Sequence, residues 1–180
     1  MNQPERALVL DPLNASCSRL VVLTLGLTPE QWHFRESSDR WSIAENIEHL
    51  VLFERFILST VAACLERPAE PEKKGLVSSK QALVLGLASS RHIPFVSRAA
   101  NLPTGRWPHS VELLVQLRLA RESTIAFLTT TEADLHAHFF AHIAWGDLDC
   151  YQWLLLLSQH SLRHACQIEQ VMSDPAYPAF

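Results

Sequence analysis

At 180 residues, with 48% hydrophobic and 19% charged residues, the chain has the size and composition of a single globular domain, residues 1–180, with a hydrophobic core. Its net charge of -4, with no Lys/Arg cluster, gives no electrostatic basis for a nucleic-acid partner. The start, MNQPERALVLDP, lacks the regions of a signal peptide, and the apolar run Trp153–Leu157 is far shorter than the ~20 residues of a membrane span. The expectation is a cytoplasmic chain with no membrane partner.

The hydrophobic pattern predicts helices and connections, with no alternation long enough to demand a sheet. A first helix is predicted from about Asn14 to Leu25, closing near Gly26, and Thr28-Pro29-Glu30 begins a short helical turn. The second helix has the clearest start signal. Ser42-Ile43-Ala44-Glu45 is a capping box, and the helix continues through Ile47, Leu50, Val51, Glu54, Ile57, Leu58 and Val61 to about Leu65. Trp41 and Asn46 occupy the staple positions, but Asn46 is not apolar, so no staple is expected.

Residues 68–75 read as an exposed loop, Ser78–Ser90 as an extra short helical segment, and Pro94–Pro108 as an extended connection. A third long helix is predicted from about Ser110 to Thr129. In it Val111, Leu114, Val115, Arg118, Leu119, Glu122, Ile125, Ala126 and Thr129 fall at the spacing of an amphipathic face. Thr131–Asp147 reads as a His-rich loop, and the last helix as about Leu148 to Met172. Four long helices with substantial connections predict an all-α four-helix bundle with one or more crossovers. Cys17, Cys64, Cys150 and Cys166 show no CxxC spacing and read as reduced small hydrophobes.

Chemistry concentrates in the histidines. His160 and His164 stand four residues apart in WLLLLSQHSLRHACQIEQV, in line with Trp153, Leu156, Leu157, Gln167, Ile168 and Val171 on the inward stripe. Buried imidazoles need partners, and a metal ion satisfies two at once; core histidines bonded to side chains and backbone are the rival reading. His49 lies one turn after Glu45 and shares a face with Leu52, Phe53 and Phe56, so a third imidazole points into the same packing. Three protein ligands would leave a position open for water or substrate. A second group, His136, His138 and His142, lies in the predicted loop beside Glu132 and Asp134, on a less rigid support.

Several chemistries are disfavoured. His160-Ser161-Leu162-Arg163-His164 lacks the Glu that a zincin protease uses as base, and no GxSxG, P-loop or GxGxxG occurs. The last helix has no Glu-x-x-His, which a carboxylate-bridged di-iron bundle requires.

The order WSIAENIEHL, NLPTGRWP, LRLARESTIAFL, HIAWGDLD and QWLLLLSQHSLRHACQIEQV resembles the DinB-like (DinB/YfiT-like) metalloenzyme superfamily over nearly the whole chain. The resemblance implies an up-down-down-up four-helix bundle. It also implies a divalent metal, usually nickel or zinc, held by three histidines that fall on His49, His160 and His164. One departure is His142-Ile143-Ala144-Trp145-Gly146, where many members read His-Pro-x-Phe-Gly. Characterised relatives include transferases and isomerases that use low-molecular-weight thiols. The expected function is therefore a metal-dependent enzyme of thiol S-transferase or hydrolase type acting on a small molecule, with a homodimer as a family-level expectation. Glu45 and His142 are candidate general bases. The alternative is a non-catalytic, metal-stapled bundle that binds a small ligand or partner.

Overall fold

The computed structural model describes residues 1–89 and 99–179. The helices in chain order are α1 (Gln3–Thr24), α2 (Pro29–His33), α3 (Ile43–Leu65), α4 (Lys74–Val77), α5 (Gln81–Leu85), α6 (Ser110–Thr130) and α7 (Cys150–Met172). The four long ones pack in a ring, with α1 against α7, α7 against α3, α3 against α6, and α6 against α1. Side-chain bonds fix their directions. Tyr151 OH donates to the Glu5 carbonyl at 3.4 Å and Arg19 pairs with Glu169 at 2.6 Å, so α1 and α7 run parallel. Arg6 bonds the Leu128 and Thr131 carbonyls while Arg121 bonds that of Leu13, so α1 and α6 are antiparallel. Asn46 and His49 meet His164 and His160, so α3 descends against α7. The result is the up-down-down-up bundle, with the short helices α4 and α5 in the long connection.

Three local expectations are corrected. First, α1 begins at Gln3 rather than near Asn14, because Asn2 and Glu5 form a capping box with bonds of 2.8 and 2.9 Å. Pro12 forfeits one helical hydrogen bond, to the carbonyl of Leu8, whose side chain lies on the exposed side of the helix. Second, the buried face of α6 is Leu113, Leu117, Ala120, Arg121, Thr124 and Leu128, while Val111, Val115 and Leu119 face outward. Third, the His-rich loop contains a hairpin, β1 (Phe139–His142) paired antiparallel with β2 (Gly146–Asp149). Gly146 turns it at φ 67°, and Trp153 secures it by donating to the Phe140 carbonyl at 3.0 Å. The predicted connection 94–108 falls partly outside the described residues; Ala99–Asn101 forms a single 3₁₀ turn.

The core has two apolar clusters. One gathers Val9, Leu13, Ile57, Val61, Leu128 and the first half of α7, where Tyr151 to Leu157 are all buried. The other gathers Leu20, Ile43, Ile47, Leu50, Leu113, Leu117 and Ile168. Between them lies a polar layer. Arg121 forks onto both oxygens of Glu54 at 2.8 and 3.0 Å, and also donates to Ser16 and Ser161 Oγ at 3.1 and 3.0 Å. By length and composition alone α1 is apolar enough to cross a membrane, yet here it is a wall of the bundle, with Val9, Leu13, Ser16 and Leu20 buried. All four cysteines are free thiols, and burial pushes Cys150 upward in pKa.

The second histidine group is dispersed. His136 Nδ1 bonds Asp149 at 2.9 Å, His138 Nδ1 donates to the Cys64 carbonyl at 3.1 Å, and His142 stacks on Trp145 at 4.3 Å. The Asp149 hydrogen bond, aided by the charges of Asp149 and Glu5, raises His136 above the ordinary histidine pKa. A raised folded-state pKa stabilises the fold fully below the unfolded value of about 6.5, and that contribution fades as pH climbs through the folded pKa. His136→Gln is therefore expected to lower the melting temperature relative to the parent at about pH 6, with the gap narrowing towards about pH 9. Thermal melts of both proteins across that range check it; a gap that widens with pH would contradict the pairing.

Candidate metal centre

The site begins with two well-started helices. Ser42 and Glu45 form the anticipated capping box on α3, with bonds of 2.8 and 3.3 Å. Asp149 and Gln152 form another on α7, at 2.7 and 3.1 Å. These starts fix the rotation of each helix, and His49 thereby faces His160 and His164. His49 Nε2 lies 3.3 Å from His160 Nε2, which lies 3.2 Å from His164 Nε2. Among the described residues these three form the group able to hold a metal ion, with ligand atoms all within 4.8 Å of one another.

The far side of each ring decides what the converging nitrogens are. His49 Nδ1 is 2.8 Å from the Asn101 carbonyl, which only accepts, so Nδ1 carries the proton and Nε2 presents a lone pair. His164 Nδ1 is 2.8 Å from Asn46 Oδ1. The Asn46 amide is oriented independently, because its Nδ2 donates to the Ser42 carbonyl at 2.8 Å. His164 Nε2 is therefore also a bare lone pair. His160 differs: its Nδ1 is sealed from solvent with no hydrogen-bond partner among the described residues, and its ring is held by packing on Phe53 at 4.2 Å between centroids.

The metal-free arrangement conflicts with itself. If His160 carries its proton on Nε2, that proton serves one neighbouring lone pair and leaves the other acceptor unpaired. If the proton sits on Nδ1, three lone pairs confront one another. Burial lowers the His49 pKa below the ordinary value. Burial, then the neighbouring imidazoles and Arg163, hold His160 and His164 well below it. Burial thus disfavours an added proton on the group, and a cation that accepts three nitrogen donors fits the donor set. The all-imidazole composition suits zinc, copper, iron or nickel rather than magnesium or calcium.

Three contributors went unrecognised in the sequence. Trp41 lies against His49 at 4.8 Å and stacks on His164 at 6.1 Å, walling the site. Asn46 holds His164, and Asn101 holds His49. Asn46 did carry a signal, since it is a polar residue where a helix start favours an apolar staple. The two candidate bases lie outside the group. The Glu45 oxygens are taken by Arg35 and the Ser42 amide, and His142 Nδ1 accepts from the Ala144 amide at 3.2 Å.

The family model of the DinB superfamily matches residues 13–168. The chain belongs to the DinB superfamily. A search of curated proteins returned no match. Among solved structures, YfiT from Bacillus subtilis matches with a TM-score of 0.61 at 12% identity, covering 99% of this chain and 91% of that one. YfiT is described as "a probable metal-dependent hydrolase with an unusual four-helix bundle topology". At that identity the likeness establishes the shared bundle.

Groups that hold a ligand's outer nitrogen tune affinity as well as orientation. Within the DinB bundle seen here, Asn46→Ala is expected to weaken zinc binding by about 10- to 100-fold. Titration against a competing chelator reads the change; affinity equal to the parent's would show that Asn46 does not orient His164 for a cation.

Proposed function

We propose that the chain is a divalent-metal-dependent enzyme acting on a small molecule, with His49, His160 and His164 as ligands and zinc or nickel as the ion. The observation that carries this reading is the convergence of three Nε2 atoms, two of them deprotonated by fixed acceptors on their far sides. A bound ion would supply Lewis-acid chemistry, lowering the pKa of water or of a low-molecular-weight thiol at its open positions.

The chain's own part is to hold and shield. Asn101 and Asn46 fix two tautomers, Phe53 packs the third ring, and Trp41 excludes water from one side. Among the described residues the three rings bond or pack against Asn101, Asn46, Trp41, Phe53 and one another, none of them a nucleophile. A hydrolase or thiol S-transferase reading, with water or a thiol as nucleophile, therefore fits best. The description of YfiT as a metal-dependent hydrolase supports the first version.

A metal-stapled, non-catalytic bundle is the second reading. Structural zinc sites are closed by four protein ligands. Among the described residues the group stops at three and does not include His142, which favours the open, reactive form. The test is turnover of electrophilic ester, amide and epoxide panels, with and without added thiols, by metal-depleted and zinc- or nickel-reloaded protein. Turnover that appears on reloading supports the enzyme. Inactivity across the panels, with four protein ligands seen in the reloaded protein, supports the staple.

A further inference from the structure

Glu48 precedes His49 on α3 and is 3% exposed. Among the described residues no Lys or Arg side chain pairs with it. Its carboxylate instead accepts three successive backbone amides: Thr104 at 2.9 Å, Gly105 at 2.9 Å and Arg106 at 3.3 Å. Gly105 at φ 75° lets these amides converge in an anion-binding concavity. The same strap, residues 99–106, supplies the Asn101 carbonyl that takes the His49 Nδ1 proton, and Asn101 itself is 3% exposed.

We infer that Glu48 is a positioning residue for the metal centre: by clamping the strap 99–106 it fixes the tautomer and orientation of His49 through Asn101. This rests on the metal-ligand reading above. The physical case is that Glu48 is buried and needs donors, and three converging backbone amides meet its charge with charge-assisted bonds that hold the strap against α3. A neutral amide at position 48 offers a single acceptor oxygen, and its NH₂ would face N–H groups. The strap would then drift, and with it the Asn101 carbonyl, three residues before the first clamped amide. The chain just beyond is held separately, by Arg55 over the Trp107 ring at 5.3 Å, so the damage should stay local.

The experiment compares the full chain with Glu48→Gln. A second variant, Gly105→Val, disturbs the strap from its own side: no atom lies within 4 Å of the added Cβ, so only the backbone at φ 75° is strained. Three readouts are taken: the His49 tautomer by ¹⁵N NMR in metal-free protein, amide exchange at residues 104–106, and zinc affinity by chelator competition. The parent should show one Nδ1–H tautomer. Both variants should show mixed tautomers, faster amide exchange at residues 104–106, and zinc affinity lower by about 10- to 100-fold. An unchanged His49 tautomer and unchanged zinc affinity in Glu48→Gln and in Gly105→Val would overturn the inference. If the variants shift the tautomer but the parent itself takes up no zinc, the clamp stands and the metal reading fails.

Discussion

Alanine at His160 is expected to lower zinc affinity by more than about 100-fold, beyond the range found for groups that merely orient a ligand. His160 is the middle nitrogen of the three, 3.3 Å from His49 and 3.2 Å from His164, and its removal leaves two donors. The metal-free protein should respond differently. His160 brings an unpaired Nδ1 and an unresolved contact among lone pairs, so its loss relieves a conflict even as it opens a small space beside Phe53. The melting temperature without metal should therefore change little. A saturating ion stabilises the parent by about 2.7 kcal/mol at a hundred times its dissociation constant, and this gain should vanish in the variant. Thermal melts with and without zinc measure both effects. A variant that keeps the full zinc-induced shift would remove His160 from the ligand set.

The largest stability effect is expected at Arg121. Arg121 and Glu54 are each 3% exposed and joined by two bonds, with Ser16, Ser161 and the Leu13 carbonyl completing the arginine's donors. Arg121→Ala strands a buried carboxylate and should cost about 3–5 kcal/mol. The double variant Arg121→Met, Glu54→Leu should recover most of that loss, because a matched apolar pair carries no desolvation penalty. Urea denaturation of the parent, the single and the double variants separates the two effects. A single variant within about 1 kcal/mol of the parent would show that water reaches Glu54.

This layer also explains what the sequence concealed. The start of α3 was legible because capping is local: the Ser42 and Glu45 side chains each bond the other's backbone amide three residues away. The inward face of α7 was legible because Trp153, Leu156, Leu157, Ile168 and Val171 recur at helical spacing and are buried. On α6 the true face runs through Arg121 and Thr124, while Val111, Val115 and Leu119 stand in solvent, so hydrophobic spacing selected the wrong side. Arg121 is inside because Glu54, on another helix, neutralises it, and no window within α6 contains that fact. The hairpin 139–149 was hidden because four-residue strands give too short an alternation.

The candidate site divides the same way. The three histidines followed from helical spacing and from resemblance to the DinB superfamily. Their partners Asn46, Asn101 and Trp41 depend on how α3 meets α7 and on the path of the strap. These are tertiary facts, and only the polar residue at the Asn46 staple position hinted at them.

The most direct measurement is metal stoichiometry and X-ray absorption on protein purified without a histidine tag and reloaded with zinc or nickel. The expected result is close to one ion per chain, with three imidazole nitrogens in its coordination shell and the remainder from solvent. Failure to retain an ion, or a shell that survives intact in His49→Ala and His160→Ala, would contradict the three-histidine centre.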